Sequence, residues 1–185
     1  MIEITVHGRG GQGAVTFSQI LAIAANCCNR YCQAFPSFGP ERCGAPVEAF
    51  VRISEQEIHL RSEVYNPDIV VVLDVSLLSQ VDVTKNLKKN GILIINSNQP
   101  VNKLKIKNKN NFKIYAVDAT SVALKTFGKD ISNTAMLGAF AAITKIVSLD
   151  SINKGLEQRF EDVNVLQLNK KTVREVYEKA LQTKK

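Results

Sequence analysis

A chain of 185 residues, 45% apolar and 22% charged, is long enough to bury roughly 70% of its unfolded surface in one domain spanning 1–185. No apolar run reaches the roughly 18 residues of a membrane span, and the first residues read as a strand rather than a leader, so the expectation is a cytoplasmic protein without membrane contact. The net charge of +7 invites a nucleic-acid reading, but Lys103, Lys105, Lys107, Lys109 and Lys113 are scattered through an Asn-rich stretch with one aromatic, Phe112; with no stacking platform, nucleic acid is not expected, and an acidic protein or a phosphorylated ligand suits the charge as well.

A short β-type run ends at His7, and Gly8, Gly10, Gly11 and Gly13 follow before an apolar helical pattern begins. A strand turning straight into a helix needs positive φ angles that glycine adopts cheaply. Such a turn also exposes the helix's unpaired N–H groups to an anion. Phe17, Ile20, Leu21, Ala24 and Cys28 share one face at spacings of three and four, which predicts a helix packed on a sheet. Gly8, Gly10 and Gly13 formally satisfy G-x-G-x-x-G, but no acid lies about twenty residues on: the first acid after Glu3 is Glu41. That disfavours a nicotinamide cofactor, and no Gly-Lys-Ser/Thr follows to make a Walker loop. The plain alternative is a glycine turn that serves only close packing of helix on sheet.

Four cysteines, Cys27, Cys28, Cys32 and Cys43, lie early in the chain, without the spacing of ferredoxin clusters or zinc ribbons. Reduced thiols without a metal are expected. Tyr31 to Phe35 reads as a second strand and leads into Pro36-Ser37-Phe38-Gly39-Pro40-Glu41-Arg42-Cys43-Gly44-Ala45-Pro46, where three prolines forbid a regular element. This shaped loop brings Ser37, Glu41 and Arg42 near the glycine turn if strands one and two are neighbours; otherwise Glu41 and Arg42 form an ordinary exposed ion pair.

Val47, Ala49, Val51 and Ile53 alternate with Glu48, Phe50 and Arg52, and Ile58 and Leu60 alternate with His59 and Arg61 beyond Glu55-Gln56, which predicts an antiparallel hairpin. Ile69 to Leu73 and Ile92 to Ile95 read as buried parallel strands joined by helix over Leu77 to Asn90. They end at Asp74 and Asn96, where open α/β sheets place ligands and where turn formers are also common. Phe112 to Val117 is a further strand, Asp118 or Thr120 caps a short helix to Phe127, and Asn133 to Val147 is so apolar all round that more than one surface should cover it, a partner subunit among them. Val165 to Leu181 closes the domain, with Leu166, Val173, Val176, Tyr177, Ala180 and Leu181 on one face. The two histidines, His7 and His59, sit in separate strands with nothing to make a catalytic triad.

With these residues in view, the chain resembles the gamma subunit of pyruvate and related 2-oxoacid:ferredoxin (flavodoxin) oxidoreductases over essentially its whole length. The resemblance rests on Gly8-Arg9-Gly10-Gly11-Gln12-Gly13, Gln33 to Arg42, Gly44-Ala45-Pro46-Val47, Pro67-Asp68 and Asn133-Thr134-Ala135-Met136-Leu137-Gly138. It departs at Cys43, where relatives often carry a second basic residue. The resemblance implies a three-layer α/β/α sandwich, with a mixed, mostly parallel sheet and an antiparallel hairpin, inside a larger enzyme. That enzyme oxidatively decarboxylates a 2-oxoacid, passes the acyl group to coenzyme A and sends two electrons to ferredoxin. Thiamine diphosphate, Mg and [4Fe-4S] clusters would belong to alpha, beta and delta subunits, and this chain would not be catalytic alone. Its expected share is the edge of the active site and a coenzyme A site at Gly8, Arg9, Gly10, Gly11, Gln12, Gly13, Ser37, Glu41 and Arg42. A stand-alone phosphometabolite- or nucleotide-binding domain and a purely structural assembly subunit are the other readings.

Overall fold

Alternation along the first strand, β1 (Ile2–Arg9), sets the two faces of the sheet: Ile4 and Val6 point into one core, Glu3, Thr5 and His7 to the opposite side. The computed structural model describes residues 1–37 and 43–183. The remaining strands are β2 (Tyr31–Pro36), β3 (Pro46–Ser54), β4 (Ile69–Val72), β5 (Ile92–Asn96) and β6 (Lys113–Val117), in the spatial order β2-β3-β1-β4-β5-β6. β1, β4, β5 and β6 run parallel, and β3 is antiparallel to both β1 and β2. The class is α/β with a mixed sheet, as expected.

The helices are α1 (Ala14–Asn26), α2 (Ala119–Phe127), α3 (Ser132–Thr144), α4 (Leu149–Arg159) and α5 (Val163–Thr183), and their apolar faces share one core with Ile4, Val6, Val51, Val71 and Ile94. On the other face, Val70, Val72, Leu93 and Ile95 are covered by Leu77, Val83, Leu87 and Leu104, which come from 3₁₀ turns and loops. The helix expected over Leu77 to Asn90 is therefore a 3₁₀ turn, Val75–Ser79, followed by irregular chain. Local polar chemistry wins there: Thr84 donates through N and Oγ1 to Asp82 Oδ1, and Asn86 and Asn90 take positive φ.

The antiparallel hairpin exists, one element earlier than its apolar pattern suggested. β3 pairs with β2 along one edge and β1 along the other, so residues 58–60 find no free edge and stay outside the sheet, with Leu60 exposed. Strands one and two are accordingly not neighbours; β3 lies between them. Cys28 does not extend the face of α1, which stops at Asn26, and Cys28 is exposed in the following turn, where Asn29 takes a φ of 55°.

α3 is buried from Thr134 to Ile143, and this chain itself covers it. Phe140 meets Phe17 of α1 edge-on with centroids 6.2 Å apart, and Gly138 lies directly against the α5 backbone at Val173. No partner subunit is needed to explain that apolarity. Lys145, with a φ of 57°, ends the helix. α4 has too few apolar residues to announce itself, but Ser148 Oγ accepts the Ser151 N–H as an N-cap, and Ile152 and Leu156, four residues apart, are fully buried. On α5, Val173, Val176 and Ala180 are buried as expected, whereas Leu181 is 41% exposed. Among the described residues no helix is long and apolar enough to cross a membrane.

Candidate functional site

β1 delivers the chain to Gly10 at the carboxyl end of the sheet, and α1 leaves from Gly13. Gly11 (φ 91°) and Gly13 (φ 81°) sit in left-handed backbone that L side chains rarely adopt. Gly8 does a different job: a Cβ there would lie 3.2 Å from that of Ala14, so its bareness sets the closeness of α1 to β1. The helix has no side-chain cap and no acid in its first turn. Phe17 is the first residue whose N–H closes an intrahelical bond, to Gly13 O at 2.9 Å, while Ala14, Val15 and Thr16 line a cavity of about 610 Å³. Pro36, Ser37, Cys43 and Glu48 form the facing wall. The result is a roomy helix start whose uncapped N–H groups suit an anion, with Glu48 also lining the cavity.

The loop after β2 is fastened to this turn by backbone bonds. Gly10 N–H donates to Ala45 O at 2.8 Å and Gly44 N–H to Gly10 O at 3.0 Å. The Cys43 thiol contacts Gly10 O at 3.7 Å. Proximity of loop and turn holds, therefore, although β3 rather than β2 borders β1. Glu41 and Arg42 lie outside the described residues. Ser37 faces the cavity, its N–H bonded to Glu48 O and its hydroxyl to Glu63 Oε1 at 3.2 Å.

Arg9, which lines the cavity, and Gln12, which is exposed, are both tied to Asp74. Arg9 Nε donates to Asp74 Oδ2 at 2.9 Å, one terminal nitrogen reaches Gly44 O and Gln80 Oε1, and the other reaches Ser76 Oγ at 2.7 Å. Gln12 Nε2 shares the same Asp74 oxygen at 3.0 Å, and its Oε1 receives Arg9 N–H. Arg9 is thus a staple between the turn, the 43–46 loop and the segment after β4, and its charge is matched by Asp74. Burial acts against the Asp74 charge, but hydrogen bonds from Ser76, Gln12 and Arg9 outweigh it and bring its pKa down to about 2. A carboxyl depressed on folding stabilises above its ordinary value of 3.8, and that contribution disappears as pH falls through about 2. The advantage of the wild type over Asp74→Asn, measured by urea unfolding of the full chain, should accordingly shrink from at most about 2 kcal/mol at pH 5 to near zero at pH 2. A pH-independent difference would mean that Asp74 is not held ionised by this network.

Asn96, the other strand-end candidate, is a structural cap. Its amide nitrogen donates to Leu73 O and Thr120 Oγ1, and its oxygen accepts from the N–H groups of Ala119 and Thr120. Of the cysteines, Cys27, Cys28 and Cys43 are exposed and Cys32 is half-buried on β2. Sequence reasoning missed Asn133, whose side-chain amide reaches Gly13 O at 3.4 Å across a separation of 120 residues. No local pattern announces such a contact; its only trace was Asn133 within the Asn133 to Gly138 segment.

The model of the pyruvate ferredoxin/flavodoxin oxidoreductase family matches residues 3–179. The pyruvate/ketoisovalerate oxidoreductases common subunit gamma of Pyrococcus abyssi is 50% identical over 183 residues, 97% of each chain. Pyruvate synthase subunit PorC of Methanocaldococcus jannaschii is 50% identical over 161 residues, 87% of each. The crystal structure of pyruvate oxidoreductase subunit PORC from Thermotoga maritima superposes with a TM-score of 0.84 at 42% identity, covering 96% of both chains.

Proposed function

Because the chain belongs to the pyruvate ferredoxin/flavodoxin oxidoreductase family, as the gamma subunit of a multi-subunit 2-oxoacid oxidoreductase and not a catalyst by itself, we propose that its glycine turn is where this subunit holds the phosphates of coenzyme A. The observation that carries this reading is the uncapped start of α1, with Ala14, Val15 and Thr16 on the wall of the 610 Å³ cavity and no acid in the first turn. Backbone N–H groups at a helix start bind phosphate oxygens without a charged side chain. That matters here, because Arg9 is already spent on Asp74. Gly10, Gly11 and Gly13 leave the approach bare, and Ser37 stands on the opposite wall.

The rest of the chemistry is assigned to partners. In the enzyme class the 2-oxoacid is decarboxylated on thiamine diphosphate with Mg, and electrons leave through [4Fe-4S] clusters to ferredoxin. We assign these groups to alpha, beta and delta subunits rather than to this chain. The gamma chain's part is to present coenzyme A at the active-site edge while residues 43–46, fastened to the turn, help keep water out. One gamma-type domain over 1–185 and a cytoplasmic setting accord with this role.

Val15→Glu in the assembled enzyme tests it. Val15 is 37% exposed on the first turn of α1, where a carboxylate suits the helix dipole and leaves folding intact, yet it would repel phosphates. The KM for coenzyme A should rise about tenfold, with kcat and the KM for the 2-oxoacid little changed. An unchanged KM for coenzyme A would move that site off this turn and favour a structural assembly role.

A further inference from the structure

A second cavity, of about 200 Å³, opens on the side of the sheet away from the helices, beneath Glu63 to Pro67 and Asp82 to Asn86. Thr5 and His7 of β1 form its floor with Phe50 and Val70, and Glu48 stands at its edge. Thr5 is 4% exposed and His7 7% exposed, yet neither Thr5 Oγ1 nor His7 Nε2 has a hydrogen-bond partner among the described residues. Buried polar groups are nearly always satisfied. Neither atom is sealed from solvent without a partner, so both open onto the cavity they line. Two such groups side by side on one strand therefore mark a place for a ligand.

Their chemistry specifies what fits. His7 Nδ1 lies 3.4 Å from Glu48 Oε1, close enough to favour the ring proton on Nδ1, with Nε2 as an acceptor. Burial pulls the His7 pKa down to about 4, so the ring is neutral near pH 7. The Thr5 hydroxyl and the Glu48 carboxylate are acceptors as well. Around the rim, Asp82 is matched by Lys107 at 3.1 Å, while Glu48 and Glu63 face Lys85, and burial together with the Glu63 charge raises the Glu48 pKa. Among the described residues the carboxyl groups of this rim outnumber the cations by one. We propose that the cavity accepts a primary ammonium group, which would donate to His7 Nε2, Thr5 Oγ1 and Glu48 while its short alkyl stem lies against Phe50 and Val70. The space holds on the order of half a dozen waters, enough for an ethylammonium-sized group. The ammonium could belong to a free small amine or to a lysine of a neighbouring subunit.

Calorimetric titration of the full chain with ethylammonium chloride tests this, with tetramethylammonium chloride at equal ionic strength as the control that lacks N–H donors. Ethylammonium should bind saturably and at least about tenfold more tightly than the control. Thr5→Val, which keeps shape, and Glu48→Gln should each weaken it by about tenfold. In the assembled enzyme, carbodiimide coupling that joins the Glu48 or Glu63 carboxyl to a lysine Nζ of another subunit, with loss of water, would identify the side-chain source and should abolish ethylammonium binding; binding retained in the complex without that cross-link would identify a free amine. Ethylammonium binding no tighter than tetramethylammonium, or equally tight in both variants, would overturn the proposal.

Discussion

Gly13→Val in the assembled enzyme is expected to abolish coenzyme A-dependent ferredoxin reduction, or to drive the chain out of the complex. Two independent costs combine at this residue. Its φ of 81° is left-handed, where an ordinary L residue is disfavoured by about 1–2 kcal/mol and a β-branched one by more. A Cβ would also fall on the side-chain amide of Asn133, 2.9 Å from its Cγ, so the contact between Asn133 and Gly13 O must break. Because Gly13 is the N-cap of α1, the backbone cost is relieved only by moving the helix start, which is the proposed phosphate site, whereas the overlap is relieved by displacing the Asn133 side chain at the cost of its contact. Gly11→Val separates the two effects: its φ of 91° carries the same backbone cost, but a Cβ meets only Cys43 Sγ, at 3.6 Å. It should keep assembly and raise the KM for coenzyme A, so that co-purification of the other subunits and turnover, measured together, rank Gly13 above Gly11. Normal assembly with normal kinetics in the Gly13 variant would remove both the structural and the binding role.

What the residues revealed in advance, and what they hid, divides along the range of the interactions. The turn from β1 into α1 was legible because strand, glycines and helical periodicity are adjacent in sequence, and the short apolar runs of β4 and β5 read correctly because burial on both faces leaves little alternation to misinterpret. Pairing is a longer-range property. Ile58 and Leu60 alternate well enough to suggest a strand, but β3 had both edges taken by β1 and β2, and no local pattern records that competition. At the site the same limit applies to direction. Arg9 beside glycines looks like a phosphate ligand; only the fold brings in Asp74, Ser76, Gln80 and Gly44 to hold its side chain. Asp74 is legible as a strand-end residue, but only the fold shows that it pairs with Arg9 and holds Gln12 beside the cavity.

Gly138→Ala should destabilise the full chain by about 2 kcal/mol, against what helix propensity alone forecasts. Gly138 lies inside α3, where replacing glycine by alanine normally gains roughly 1 kcal/mol. Here a Cβ would land on the carbonyl oxygen of Val173 in α5, 3.1 Å from the Val173 carbonyl carbon and 3.0 Å from the Tyr177 amide nitrogen. Those are rigid backbone atoms of a packed helix, so α3 and α5 must separate, and overpacking of this kind costs about 3 kcal/mol. The packing term exceeds the propensity term, which fixes the sign. At roughly 2–4 °C per kcal/mol for a domain of this size, the melting temperature should fall by about 4–8 °C. The effect should stay on the stability side: the glycine turn meets α3 through Asn133, five residues before the overlap, so a complex assembled below its melting point should keep its KM for coenzyme A. A raised melting temperature would mean that α3 and α5 do not approach as closely as Gly138 requires; a raised KM with unchanged stability would mean that α3 positions the turn directly, and that the Asn133 contact transmits more than local packing.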